Sequence, residues 1–300
     1  MNARIYWLHA ISPLHVGSGR GVGYIDLPIM REKVTHWPLV PGSAIKGVMR
    51  DHFLDKNPGK EGFINATFGQ GGESTSNAGA LVQTDARIVC LPIRSLYGTF
   101  AWVTSPMVLS RLKRDAIAAG IESTLPDLKS DLDEIHYPSS GTSLADGNGD
   151  DRKVFLEDLD IASSPCDHAG KWAEFISAGV FAGDGSNSWR EVFEKRFAVV
   201  PDNIFSYLCE FGTSVNARIR IDSEKKTVAQ HALWYEETLP AETILSGLTW
   251  VDRVFHQGVS REEILEEISG EIHLQVGGNS TVGMGRVRCV LGGGGEGGAQ

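Results

Sequence analysis

From Ile272 to Val276 apolar and polar residues alternate, with Ile272, Leu274 and Val276 on one side and His273 and Gln275 on the other. A period of two turns one face inward, so this segment predicts a half-buried strand. A glycine-bearing loop at 277–285 follows, and residues 286–291 predict a further strand. At the opposite end, residues 3–11 are rich in β-branched and aromatic side chains and stop at Ser12-Pro13, which predicts another strand.

Between these ends the apolar residues recur at helical spacing and carry helix punctuation. Ser105-Pro106 supplies a cap and a first-turn proline ahead of Leu109, Leu112 and Ile117, and Gly120 stops the run. Asn187 or Ser188 opens a second helix bearing Trp189, Val192, Phe193 and Phe197, and Asp202 opens a third with Phe205, Leu208 and Phe211 before Gly212. Ser260 and Glu263 form a capping box ahead of Ile264, Leu265 and Ile268. Residues 57–78 and 138–151, dense in Gly, Ser, Asn and Asp, predict exposed loops.

Residues 214–235 predict a hairpin that turns at Asp222–Lys226. Val215, Ala217, Ile219 and Ile221 share one side, and Asn216, Arg218, Arg220 and Asp222 the other, the pattern of a hairpin at the edge of a core. The tail from Gly292 to Gln300 holds too little apolar area to be ordered. Strands at both ends with helices between them predict an α+β fold whose sheet joins the two ends, and no internal repeat is present.

Composition narrows the class. At 300 residues, 41% hydrophobic and 22% charged, the chain can bury a sizeable core as one elaborated domain or two small ones. No apolar run is long enough for a bilayer and Met-Asn-Ala-Arg-Ile-Tyr lacks a signal-peptide core, so a cytoplasmic protein without membrane contact is expected. Cys90, Cys166, Cys209 and Cys289 are widely spaced, which favours reduced thiols over a zinc site. The formal net charge of −10 opposes simple polyanion binding, so any nucleic acid must be met by a local basic stripe.

Such a stripe has candidates. Ser43 reads as an N-cap beside Gly42, where first-turn amides and the helix dipole suit a phosphate; Lys46 and Arg50 follow four apart on one face. On residue types alone, that pair is also what a solvated basic face looks like. Leu14-His-Val-Gly-Ser-Gly-Arg20 sets Gly17 and Gly19 where a backbone could approach closely, with His15 as a titratable donor. Gly277, Gly278, Gly283 and Gly285 read as tight packing positions. Asp26, set between Ile25 and Leu27-Pro28-Ile29, is a turn former or a carboxylate exposed for proton transfer or a metal ion.

Taken in order, these segments resemble the RAMP superfamily, the RNA-binding proteins of CRISPR effector complexes. Ile25-Asp-Leu-Pro-Ile-Met-Arg-Glu32 and Pro41-Gly-Ser-Ala-Ile-Lys-Gly47 resemble the backbone subunits of type III-B (Cmr) complexes in particular. Gly79–Arg87, Arg94–Thr104, Leu233-Trp-Tyr-Glu-Glu237 and Gly277–Gly285 agree. The resemblance implies a ferredoxin-like palm at about 1–50 and 240–291, insertions at about 51–213 and a thumb hairpin at about 214–235. It implies a guide CRISPR RNA, a single-stranded target RNA, further copies of the chain in a filament and other subunits of the complex as partners.

By the same resemblance Asp26 serves target cleavage, with His15 and Glu236 (or Glu237) as further catalytic candidates. Mg²⁺ or Mn²⁺ is the implied cofactor, with Asp26 as its ligand. Ser43, Gly42, Lys46, Arg50, Gly17, Gly19, Arg218, Gly277 and Gly278 are the implied RNA contacts. Thr238 stands where the family pattern has an aromatic residue. A non-cleaving structural subunit, or a guide-processing ribonuclease using His15, fits the same motifs.

Overall fold

The computed structural model describes residues 3–292 except 20, 22, 71–76, 122–124, 128, 130, 148–150, 184–186, 222–226 and 256–257. The expected hairpin turn at 222–226 and the expected disordered tail from residue 293 onward lie outside the described residues. The strands run β1 (Arg4–Ala10), β2 (Leu39–Val40), β3 (Gly69–Gln70), β4 (Asn77–Ala78), β5 (Leu81–Gln83), β6 (Ala86–Arg94), β7 (Phe100–Thr104), β8 (Ile135–Pro138) and β9 (Ala145–Asp146). They continue as β10 (Lys153–Leu156), β11 (Leu159–Cys166), β12 (Phe197–Val199), β13 (Ser214–Ile221), β14 (Val228–Thr238), β15 (Ile244–Val251), β16 (Gly270–Gln275) and β17 (Arg286–Leu291). The helices are α1 (Gly42–Lys56), α2 (Glu61–Phe68), α3 (Pro106–Ala118), α4 (Asp167–Val180), α5 (Asn187–Glu194), α6 (Asp202–Phe211) and α7 (Arg261–Glu267).

The palm is the antiparallel quartet β17-β1-β15-β6 at the centre of a larger mixed sheet. With α1 following β1 and α7 following β15, this is the split βαβ order of a ferredoxin-like domain. β1 is buried from Ile5 to Ala10 because it is covered twice. Tyr6, Leu8 and Ala10 join Ile45, Met49 and Phe53 of α1 and Ile264 and Leu265 of α7. Ile5 and Trp7 join Leu109 and Leu112 of α3 and Trp172 and Ile176 of α4 on the opposite face. The edge strand β16 is covered once: Ile272 and Leu274 are buried while His273 and Gln275 are exposed, as their alternation predicts.

Beyond β6 the sheet continues through β7, β12, β8, β11, β10 and β9, all from the insertions. Local signals were sound where they were explicit. Ser105 caps α3 with Pro106 in its first turn, and both bonds of the Ser260–Glu263 box form at α7. Asp202 begins α6 but also bonds the Met107 amide, tying α6 to the start of α3.

Three expectations need correction. Residues 57–78 are not all loop: α2 forms there because Phe63, Ile64 and Phe68 bury against α1, with Phe68 stacked on Phe53 at 5.9 Å. Phe197 lies in β12, beyond the end of α5, and Ile117 points to solvent. The hairpin is not a core edge. β13 and β14 form their own two-stranded sheet, and Ile219, Ile221 and Leu233 stand exposed on it. Among the described residues no helix is long and apolar enough to cross a membrane, and all four cysteines are free thiols.

Candidate active site

Asp26 rests on the root of the hairpin. The segment 25–29 touches β14 through one bridge, Leu27 paired in parallel to Glu236. Leu27 donates its amide to Tyr235 O at 3.0 Å, and Glu237 donates its amide to Leu27 O at 3.0 Å. Pro28 and Ile29 are buried, so the exposed Asp26 is anchored by its apolar neighbours. Its Oδ2 accepts the Tyr235 amide at 2.8 Å, which orients the carboxylate while leaving acceptor capacity for a ligand.

His15 meets the same strand at Glu237. It is 8% exposed, and its Nδ1 lies 2.7 Å from the carbonyl of Glu237. A carbonyl only accepts, so Nδ1 carries the hydrogen. Gly278 donates its amide to His15 O at 2.9 Å. A Cβ on Gly17 would stand 2.9 Å from Nε2 of His15, and one on Gly277 (φ +81°) would stand 2.1 Å from the His15 carbonyl oxygen. Gly17 and Gly277 make room for the histidine and its backbone. Gly19 (φ +76°) has open space instead.

That difference is testable. Gly19→Ala and Gly277→Ala both force an alanine into left-handed backbone, a strain of about 1–3 kcal/mol, but only Gly277→Ala adds a collision. The denaturant midpoint should fall clearly further for Gly277→Ala. Equal falls would remove His15 packing as the reason for that glycine.

The glutamates do different work from the one expected. Glu236 is 2% exposed, and both its oxygens are engaged, Oε2 by Nε of Arg218 at 3.0 Å and Oε1 by the amide of Asn279. Glu237 is equally buried, accepting from Nη2 of Arg31 at 2.5 Å, Oγ1 of Thr213 at 2.8 Å and the Ile29 amide at 3.0 Å. Arg31 also donates to the carbonyls of His36 and Cys209. Neither carboxylate is presented to solvent, so both pin the hairpin to the body. Arg218 is committed to that pin, while Arg220 on the same strand is exposed. A period of two shows which side a residue faces, not whether that side is covered.

At α1 the cap also differs. Pro41 is the N-cap residue, with ψ 136° and no side-chain bond; Ser43 stands inside the first turn, exposed. Gly42 is buried, and its amide donates to Oδ1 of Asp85 at 2.8 Å. A protein carboxylate thus takes one of the amides offered to a phosphate, a role for Asp85 that only its position in space reveals. Lys46 is half-buried with Nζ on the carbonyl of Leu81 at 2.6 Å, and burial lowers its pKa. Arg50 is half-exposed, 3.9 Å from Asp51.

A RAMP superfamily model matches residues 7–288. The chain belongs to the RAMP superfamily. It is 35% identical over 294 residues to the CRISPR system Cmr endoribonuclease Cmr4 of Pyrococcus furiosus, covering 97% of this chain and 96% of that one. A crystal structure of oligomeric Cmr4 from the same organism superposes with a TM-score of 0.70 at 29% identity, covering 97% of each chain. A chain of the type III-B Cmr-beta complex bound to cognate target RNA shares the fold, with a TM-score of 0.73 at 22% identity over 96% of each.

In this RAMP protein the divalent ion implied by resemblance finds no cage. Among the described residues no group of three or more His, Cys, Asp or Glu side chains could hold a metal ion. Asp26 is a single carboxylate, so no chemical step is derived through a protein-held ion. A cleft of about 600 Å³ opens farther along the same segment, lined by Glu32, Lys33, Arg87, Arg111 and Asp115 and not by Asp26 or His15. Four of its charges are paired: Arg111 holds Glu32 at 2.8 Å and Arg87 holds Asp115. Burial opposes ionisation of Glu32, but the Thr35 hydrogen bond and the guanidiniums of Arg111 and Arg87 keep its carboxyl below the usual range.

Proposed function

We propose that this RAMP protein is a backbone subunit of a type III-B CRISPR effector. It binds the guide RNA, assembles with copies of itself and with the other subunits, and cuts the guide-paired target RNA once per copy. One observation carries the reading: Asp26 is an exposed carboxylate held by a backbone amide at the root of a hairpin that projects from the palm.

RNA brings its own nucleophile. The 2′-oxygen forms a bond to the adjacent phosphorus, the bond from phosphorus to the 5′-oxygen breaks, and the products end in a 2′,3′-cyclic phosphate and a 5′-hydroxyl. Asp26 receives the 2′-hydroxyl proton, and the departing oxygen takes one from water. The protein must also unstack the target so that attack runs in line, a positioning role that fits an inserted hairpin.

The test uses the assembled complex and end-labelled complementary RNA, with and without Mg²⁺. Regularly spaced cuts are expected; a complex that binds but never cuts would leave only the structural role. Cutting that survives chelation would separate the chemistry from any divalent ion. Lys46→Ala should weaken guide binding and flatten its salt dependence by about one phosphate contact. An unchanged slope in a salt titration would take Lys46 out of the interface.

A further inference from the structure

Two tyrosines beside Asp26 have no part in the chemistry above. Tyr24 is 73% exposed and Tyr235 is 39% exposed. Their rings meet edge to face, with centroids 6.3 Å apart and planes at 81°. Tyr235 is the residue whose amide orients Asp26, and its carbonyl accepts from Leu27. The aromatic pair and the carboxylate are therefore held by one piece of backbone.

We propose that Tyr24 and Tyr235 form a stacking platform for an unpaired nucleobase beside Asp26, an inference that rests on the cleavage reading and deepens it. An edge-to-face pair leaves ring surface open while each ring steadies the other, so a flat π-system loses little freedom by docking there. In-line attack requires a nucleotide to leave its helical stack, and the base so released needs cover. Aromatic side chains supply it without regard to sequence. Arg220, exposed on the same hairpin, adds a cation for the accompanying backbone.

The base could come from the target or from the guide, and the experiment separates them. Single abasic nucleotides are scanned across one mapped cut site, in the target strand and then in the guide, using complexes assembled from wild-type, Tyr24→Ala, Tyr24→Phe and Tyr24→Leu chains. Tyr24→Ala should weaken target binding or slow cutting about 5- to 150-fold, the range one base–aromatic stack supplies. Tyr24→Phe should stay within about twofold of wild type. At one abasic position the Tyr24→Ala loss should vanish, because the partner is already gone, and the strand bearing that position identifies the source.

The same Tyr24→Ala loss at every abasic position, or no loss at all, overturns the platform. Full rescue by Tyr24→Leu does so too, since an aliphatic chain fills space but does not stack. Binding measured in an Asp26→Asn background reads the platform independently of catalysis. Wild-type cutting by Asp26→Asn would thus remove Asp26 from the chemistry, and a complex that never cuts would sink the cleavage reading, while the stacking result stands or falls separately.

Discussion

Asp26→Asn should slow target cleavage by about 10²–10⁴-fold, the usual contribution of a positioned proton-transfer group, with target affinity unchanged. The two side chains have the same shape, and an amide oxygen can accept from the Tyr235 amide as the carboxylate does at 2.8 Å. The segment from Leu27 to Ile29 stays docked because its other bonds are to backbone and to Glu237. Only the charge and the proton affinity are lost. Single-turnover cleavage by the assembled complex, beside a binding titration of the same preparation, measures both quantities. Wild-type rates would show that Asp26 takes no part in the chemistry.

The second large effect concerns stability. Glu237→Leu leaves the half-buried Arg31 guanidinium without its carboxylate, and breaking one side of such a pair costs about 3–5 kcal/mol. Arg31→Met strands Glu237 in the same way. The double variant Arg31→Met/Glu237→Leu removes both charges and should recover much of the loss, because two apolar side chains need no partners. Denaturant unfolding of the four proteins gives the coupling directly. Additive losses would mean that the pair is not a unit. The singles should also cleave poorly, since Ile29 hangs on Glu237 and Asp26 sits three residues earlier on the same segment.

These two residues mark the boundary of what could be read from the chain. Local chemistry was legible. A serine followed by proline, a capping box and the alternation in β16 act over a few residues, and the elements they foretold are present. Three of the four palm strands come from the two ends of the chain; the fourth, β6, falls in the stretch 51–213 expected to hold only insertions. What escaped depends on partners distant in sequence. α2 forms from a Gly- and Asn-bearing stretch because Phe53 waits beneath it. Gly42 is capped by Asp85, so Ser43 has no capping work. Glu236 resembled a catalytic group until Arg218 and Asn279 were found on its oxygens. Asp26 was legible because its exposure follows from its own neighbours: Pro28 and Ile29 go inward, and the carboxylate stays out.

The arrangement of the palm bears on how the chain is made. β1 lies between β15 and β17, and the Ser246 hydroxyl reaches the Tyr6 carbonyl across 240 residues of sequence. At about 5–20 residues per second, a ribosome leaves that first strand without its neighbours for on the order of ten to fifty seconds. Tyr6, Trp7 and Leu8 are greasy on both sides and would be sticky throughout that interval. Apolar strands left open during synthesis are prone to aggregate, and contacts between residues so far apart in sequence are the kind that close late in folding.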